Sequence, residues 1–192
     1  GHQRTAILET RRLLREGRVV ALKGLGGFHL ACDAANQAAV NELRRRKGRI
    51  AKPFAVMAAD LETVEQLCDL SASERELLTG REKPVVLLRQ PAHPAAEALS
   101  VAEAVAPGVE TLGVMLPYTP RHHLLLNQTD PVLAAEPAPP VLVMTSGNFS
   151  EEPIATDNDD ARQRLSALAD ALLLHNREIE TRCHDSVVRP DQ

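Results

Sequence analysis

The stretch Arg44-Arg45-Arg46-Lys47-Gly48-Arg49-Ile50-Ala51-Lys52-Pro53-Phe54 runs directly into the apolar segment Ala55-Val56-Met57-Ala58. Gly48 reads as a helix stop, because glycine is the favoured residue just past a helix C-terminus. Pro53 pushes Lys52 out of the helical region. Phe54 to Ala58 then reads as a buried strand. A helix that breaks off and passes straight into a core strand is a unit of α/β architecture.

Two readings apply to its cations. Arg44 to Lys47 stand at a helix C-terminus, where the macrodipole favours positive charge with or without a ligand, so a solvated helix end accounts for them. Lys47, Arg49 and Lys52, placed around the break, are able to converge from a loop at a strand entrance as an anion clamp.

Outward from this stretch, helix and strand patterns alternate. Ile7, Leu8, Leu13 and Leu14 form a helical stripe among arginines, ended by Gly17, and Val19 to Leu22 and Phe28 to Ala31 read as short strands. Asn36 is an N-cap for the helix that ends in the basic cluster. Asp60 caps Leu61 to Leu70, and Ser71 with Glu74 forms a capping box. Val85 to Leu88 is a strand of the type covered on both faces. Residues 90–108 and 129–140 read as surface loops. Leu112 to Leu116 is extended, and Thr119 with Pro120 opens a helix through Leu126. Val141 to Met144 is a strand, Asp157 to Ala169 a helix, Ala171 to Leu174 a strand, and Ser186 to Val188 a last strand. The expectation is one α/β domain over residues 1–192: a twisted, mixed sheet with helices on its faces and an open ligand cleft.

Composition narrows the function classes. With 192 residues, 44% of them hydrophobic, the chain is able to bury a core. A net charge of −4 argues against a general nucleic-acid binder, and 2% aromatics leave no base-stacking platform. Cys32, Cys68 and Cys183 form no C-x-x-C pair, which fits a reducing compartment. No apolar run approaches the ~20 residues of a membrane span, and no signal-peptide pattern is present, so a cytoplasmic location is expected. The start at Gly1-His2 suggests a domain excised from a larger protein, with residues 1–2 a cloning remnant.

Two further candidates carry chemistry. Thr145-Ser146-Gly147-Asn148 follows a strand and offers short donors, with Gly147 allowing close backbone approach to a ligand; an ordinary turn explains the same residues. Lys23-Gly24-Leu25-Gly26-Gly27-Phe28-His29 is a glycine-rich turn flanked by two polar residues. It lacks the G-K-[ST] of a Walker loop and the spacing of a dinucleotide fingerprint. The adjacent His122 and His123 point to different faces and make a poor metal pair. His175 and His184 follow strands, and Cys32 reads as a core residue.

In this order, Lys23 to Ala34, Leu43 to Met57, Leu116 to Pro120, Met144 to Asn148 and His175-Asn176-Arg177 resemble the YrdC-like domain. More narrowly, they resemble its version in the HypF carbamoyltransferases of nickel–iron hydrogenase maturation. The resemblance spans Val19 to Arg189, with Arg121 standing where a leucine is usual and His184 where an aspartate is. It implies a nucleotide-binding tetrad of Lys47, Arg49, Ser146 and Asn148, with Lys47 and Arg49 as catalytic residues and Lys52, Thr145 and Arg177 also at the nucleotide. Lys23, Gly26, Gly27 and His29 would line a carbamoyl pocket. The implied chemistry joins ATP, as its Mg²⁺ complex, to carbamate derived from carbamoyl phosphate, giving carbamoyl-adenylate and pyrophosphate. The implied partners are the other domains of a parent protein and the maturation protein HypE as carbamoyl acceptor. A threonylcarbamoyl-adenylate synthase of tRNA modification and a non-catalytic nucleotide- or RNA-binding module stand as alternatives.

Overall fold

The computed structural model describes residues 2–149, 151–176, 178–179 and 183–190. Helix α1 (His2–Arg15) ends before Gly17, whose φ of +81° and N–H bond to the Leu14 carbonyl close the last turn. Strands β1 (Val20–Lys23) and β2 (Phe28–Asp33) form a hairpin. Asn36 then caps α2 (Gln37–Lys47) by accepting the Ala39 N–H, and Gly48 at φ +64° ends it.

Next come β3 (Val56–Ala58), α3 (Leu61–Leu67) capped by Asp60, and α4 (Ala72–Thr79) with the Ser71–Glu74 capping box formed. Strands β4 (Val85–Arg89) and β5 (Thr111–Met115) lead to α5 (Pro120–Leu126), capped by Thr119 with Pro120 in its first turn. Strand β6 (Val141–Ser146), helix α6 (Asn158–Arg164), β7 (Ala171–Leu173) and β8 (Val187–Val188) complete the described elements.

The strands form one mixed sheet in the order β7-β1-β2-β6-β3-β5-β4-β8. Alternation along each strand divides the core between its faces. Phe28, Leu30, Cys32, Val56 and Val143 face Val40 and Leu43 of α2, with Val64, Leu78 and Ala161 from α3, α4 and α6 in the same cluster. Leu22, Ala31, Met57, Leu142 and Met144 pack with Ile7 and Leu14 of α1 and Leu125 and Leu126 of α5.

Several boundaries differ from the sequence expectation. Strand β3 runs from Val56: the Ala55 carbonyl accepts from Met144 of β6, but the Phe54 N–H bonds to the Val105 carbonyl instead of a strand. Helix α3 stops at Leu67 and α6 at Arg164. The 90–108 segment is not wholly superficial: Ala104, Val105 and Ala106 are buried around a 3-10 turn. Arg11, in the arginine-rich stripe of α1, is 1% exposed. Its guanidinium donates to the carbonyls of Leu124, Asn127, Leu133 and Glu136, tying the 129–140 loop to the helix pair α1–α5.

Candidate functional site

Antiparallel alternation brings the C-termini of β1 and β6 and the N-termini of β2 and β3 to one end of the sheet. Lys23, His29, Ser146 and the 48–55 loop therefore gather there, although they are far apart in sequence.

Lys47 is the last residue of α2 and lies before the Gly48 break. It is 3% exposed, and its ammonium donates to the Ser146 carbonyl at 2.6 Å, the Asn148 Oδ1 at 3.2 Å and the Ser146 Oγ at 3.4 Å. The Ser146 hydroxyl donates in turn to Asn148 Oδ1 at 2.6 Å, so three members of the expected tetrad form one hydrogen-bonded unit. Burial, then the charge of Arg49, pushes the Lys47 pKa down to about 8.

Arg49 is half-buried and donates to the Lys52 and Pro53 carbonyls, with its guanidinium carbon 4.8 Å from the Phe54 ring centroid. Burial and then Arg44 lower its pKa. Arg44 and Arg49 direct these donors to main-chain carbonyls, which carry no formal charge to neutralise theirs.

The cluster divides differently from the sequence reading. A solvated helix end describes Arg45 alone, which is paired with Glu42 at the surface. Arg46 links α2 to Asp170 and the Leu168 carbonyl. Arg44 is buried: it donates to the carbonyls of Ala104, Val105, Arg49 and Lys52 and lies 4.4 Å over Phe54. No sequence signal separated this arginine from its neighbours. Lys52 has an exposed side chain, and its position contributes a carbonyl that accepts from both arginines.

Thr145 lies within β6, buried and paired with Leu30, and alternation places it on the sheet face opposite to Ser146. Gly147 serves a close approach to protein. Its N–H bonds to the Phe28 carbonyl at 2.7 Å, and a Cβ there would lie 2.7 Å from the Phe28 Cβ and O. Gly147→Ala should lower stability by about 1–3 kcal/mol through this overlap, measured by urea unfolding; a variant as stable as the parent would show that the β2–β6 junction yields freely.

In the β1–β2 turn, Lys23 donates to Asn158 Oδ1 at 2.8 Å and the His175 carbonyl at 3.2 Å. Gly26 accepts from the Cys183 N–H, and a Cβ on Gly27 would sit 2.5 Å from Ile154 Cγ2. These glycines thus admit neighbouring chain segments. His29 reaches Asp185, a contact absent from the sequence reading. Arg121 donates to the Leu174 carbonyl, so this departure from the usual leucine joins α5 to the end of β7. Arg177 lies outside the described residues. A groove of about 690 Å³ lined by Asp69, Glu74, Arg89 and Arg189 contains no member of the tetrad.

A family model designated Sua5_yciO_yrdC, described as telomere recombination, matches residues 12–192. The chain belongs to the Sua5/YciO/YrdC family. Within this family it is similar to the carbamoyltransferase HypF2 of Cupriavidus necator, at 52% identity over 190 residues, covering 96% of this chain and 23% of the relative. It is also similar to the carbamoyltransferase HypF of Rhodobacter capsulatus, at 49% over 178 residues, covering 93% and 22%. It therefore spans under a quarter of the length of these relatives. A full-length HypF solved in a phosphate- and nucleotide-bound form superposes with a TM-score of 0.85 at 44% identity, covering 96% of this chain and 27% of that one. Escherichia coli YciO, at 16% identity and a TM-score of 0.74, shares the fold. The Sua5/YciO/YrdC mixed sheet expected from the sequence is thus the observed one. Among the described residues, no helix is long and apolar enough to cross a membrane.

Proposed function

We propose that this domain forms carbamoyl-adenylate from ATP and carbamate, as one step of carbamoyl transfer within a larger multidomain protein. The observation that supports this best is the buried Lys47–Ser146–Asn148 unit beside Arg49, in a chain 44% identical to a HypF that binds nucleotide. A carbamate oxygen attacks the α-phosphorus; the new P–O bond forms as the bond to the β-phosphate oxygen breaks, and pyrophosphate leaves. Such a displacement needs charge neutralisation and positioning more than a protein nucleophile. Lys47 and Arg49 hold the phosphates, with Lys52 able to swing in from the surface. Ser146 and Asn148 orient the adenylate, and the Lys23–His29 turn flanks the carbamoyl group. Magnesium in this scheme arrives on the triphosphate. Another domain would release carbamate from carbamoyl phosphate, and HypE would accept the carbamoyl group.

The test is pyrophosphate release from MgATP with carbamate, compared with threonine plus bicarbonate and with neither. Release driven by carbamate supports the proposal. Release driven only by threonine and bicarbonate assigns the tRNA-modifying chemistry, and ATP-independent, steeply salt-dependent RNA binding without turnover assigns a binding module.

A further inference from the structure

The Phe54 ring lies against two guanidinium groups. The Cζ of Arg44 is 4.4 Å from its centroid and that of Arg49 4.8 Å. Both fall inside the ~6 Å within which a ring face attracts a cation. Arg44 comes from the last turn of α2, and Arg49 follows the Gly48 break. The ring itself is held fast. Phe54 is 1% exposed, packs in one core cluster with Val40 and Leu43 of α2, and donates its N–H to the Val105 carbonyl at 2.8 Å.

Arg49 is half-buried, and a side chain of its length loses several rotamers when it is ordered. Its Nε donates to the Lys52 carbonyl at 3.1 Å and its Nη2 to the Pro53 carbonyl at 2.6 Å. One edge of the planar fork is thus spent on the loop. The Nη1 end meets no hydrogen-bond acceptor among the described residues. The charges that Arg49 feels and exerts are those of Arg44 and Lys47, both cations. Their mutual repulsion favours swinging Arg49 away into water. Against it stand the Lys52 carbonyl, which also accepts from Arg44 Nη1 at 2.9 Å, and the ring. The two carbonyls anchor one edge of the fork, and the immobile ring limits its rotation about that edge.

We infer that Phe54 is a positioning residue: its ring holds the Arg49 guanidinium in place before nucleotide arrives, with the Nη1 end left for a phosphate oxygen. Phe54 touches no substrate and acts through Arg49. This inference rests on the proposed phosphate site and names the side chain that preorganises it, so that binding need not order a mobile arginine.

The test is a double-mutant cycle on MgATP affinity, measured by calorimetry on the parent protein, Phe54→Leu, Arg49→Ala and the double variant. Leucine keeps an apolar side chain in the core and removes the ring face. Phe54→Leu should weaken MgATP binding roughly three- to tenfold, the cost of ordering one long side chain on binding. In the Arg49→Ala background the same substitution should change affinity by less than about twofold, because the residue it acts through is gone. Equal losses in the two backgrounds would make Phe54 a core residue whose truncation loosens the whole site, and would overturn the inference, as would parent-like affinity in Phe54→Leu. Circular dichroism checks that each variant is folded. Where Phe54→Leu is not, Phe54→Met takes its place in the cycle under the same outcomes. A parent protein that binds no MgATP, or an Arg49→Ala variant that binds it unchanged, locates the failure in the proposed phosphate site, and the inference falls with it.

Discussion

Lys47→Met should cut carbamate-dependent pyrophosphate release by about 10²–10³-fold, the usual effect of deleting one preorganised electrostatic group. Methionine matches the length of the aliphatic stem and removes the charge. The Lys47 ammonium sits among the Ser146 carbonyl, the Ser146 hydroxyl and Asn148, next to a second cation. Its depressed pKa marks a charged form held at a cost that an arriving phosphate offsets. The folded value, about 8, lies below the ordinary 10.5. Between those two pH values the unfolded chain binds more protons, so the lysine's contribution to stability rises with pH across that window. Nucleotide binding runs the other way. An anion prefers the charged ammonium, so ATP affinity should fall as pH rises through about 8, and binding near that pH should take up protons. Calorimetry in buffers of different ionisation enthalpy measures that uptake. A flat affinity between pH 7 and 9, or a fully active Lys47→Met, would remove Lys47 from the phosphate site. Arg49→Ala should fall in the same direction, by an amount on the order of 2–4 kcal/mol in the transition state.

Arg44→Ala should destabilise the fold by about 3–5 kcal/mol, as expected when a buried charged partner is deleted and its acceptors are left behind. The carbonyls of Ala104 and Arg49 lose the Arg44 donor, those of Val105 and Lys52 keep only the Phe54 N–H and Arg49, and Phe54 loses one of the two guanidinium groups stacked on it. In a domain of this size that corresponds to a drop of roughly 10 °C in Tm. Arg44→Lys should recover little of it, because an ammonium lacks the planar fork that spans several carbonyls. A thermal scan that places Arg44→Ala within 1 °C of the parent would overturn this account. Two of these carbonyls, on Arg49 and Lys52, belong to the loop bearing Arg49, so the variant should also weaken ATP binding, linking a stability residue to the proposed site without direct ligand contact.

Much of the fold was legible because its local signals agree. Asn36, Asp60, Ser71 with Glu74, Thr119 with Pro120, and Asp157 all cap the helices that their positions announce. Lys47, Ser146 and Asn148, singled out through motif order, do meet. The burial of Arg44 and Arg11 was not, since a run of arginines carries no local mark of which one will meet a cluster of free carbonyls. Gly147 misled for a related reason. Its need for space comes from Phe28, more than a hundred residues earlier in the chain, and only the pairing of β2 with β6 brings them together. The His29–Asp185 contact is of the same long-range kind.

The position of β6 also bears on how this chain is made. It is hydrogen-bonded to β2 on one side and β3 on the other, and it joins the β1–β2 hairpin to the β3-β5-β4 group. During synthesis those two groups emerge first, each with an open edge facing the gap that residues 141–146 will fill. Until then both edges are free to pair with other chains, the exposure that folded sheets avoid. Insertion of β6 closes both edges and delivers Ser146 to Lys47 in the same event. On the proposed function, a nascent chain gains its phosphate site only when these two inner edges close, while the outer edges of β1 and β4 still wait for β7 and β8.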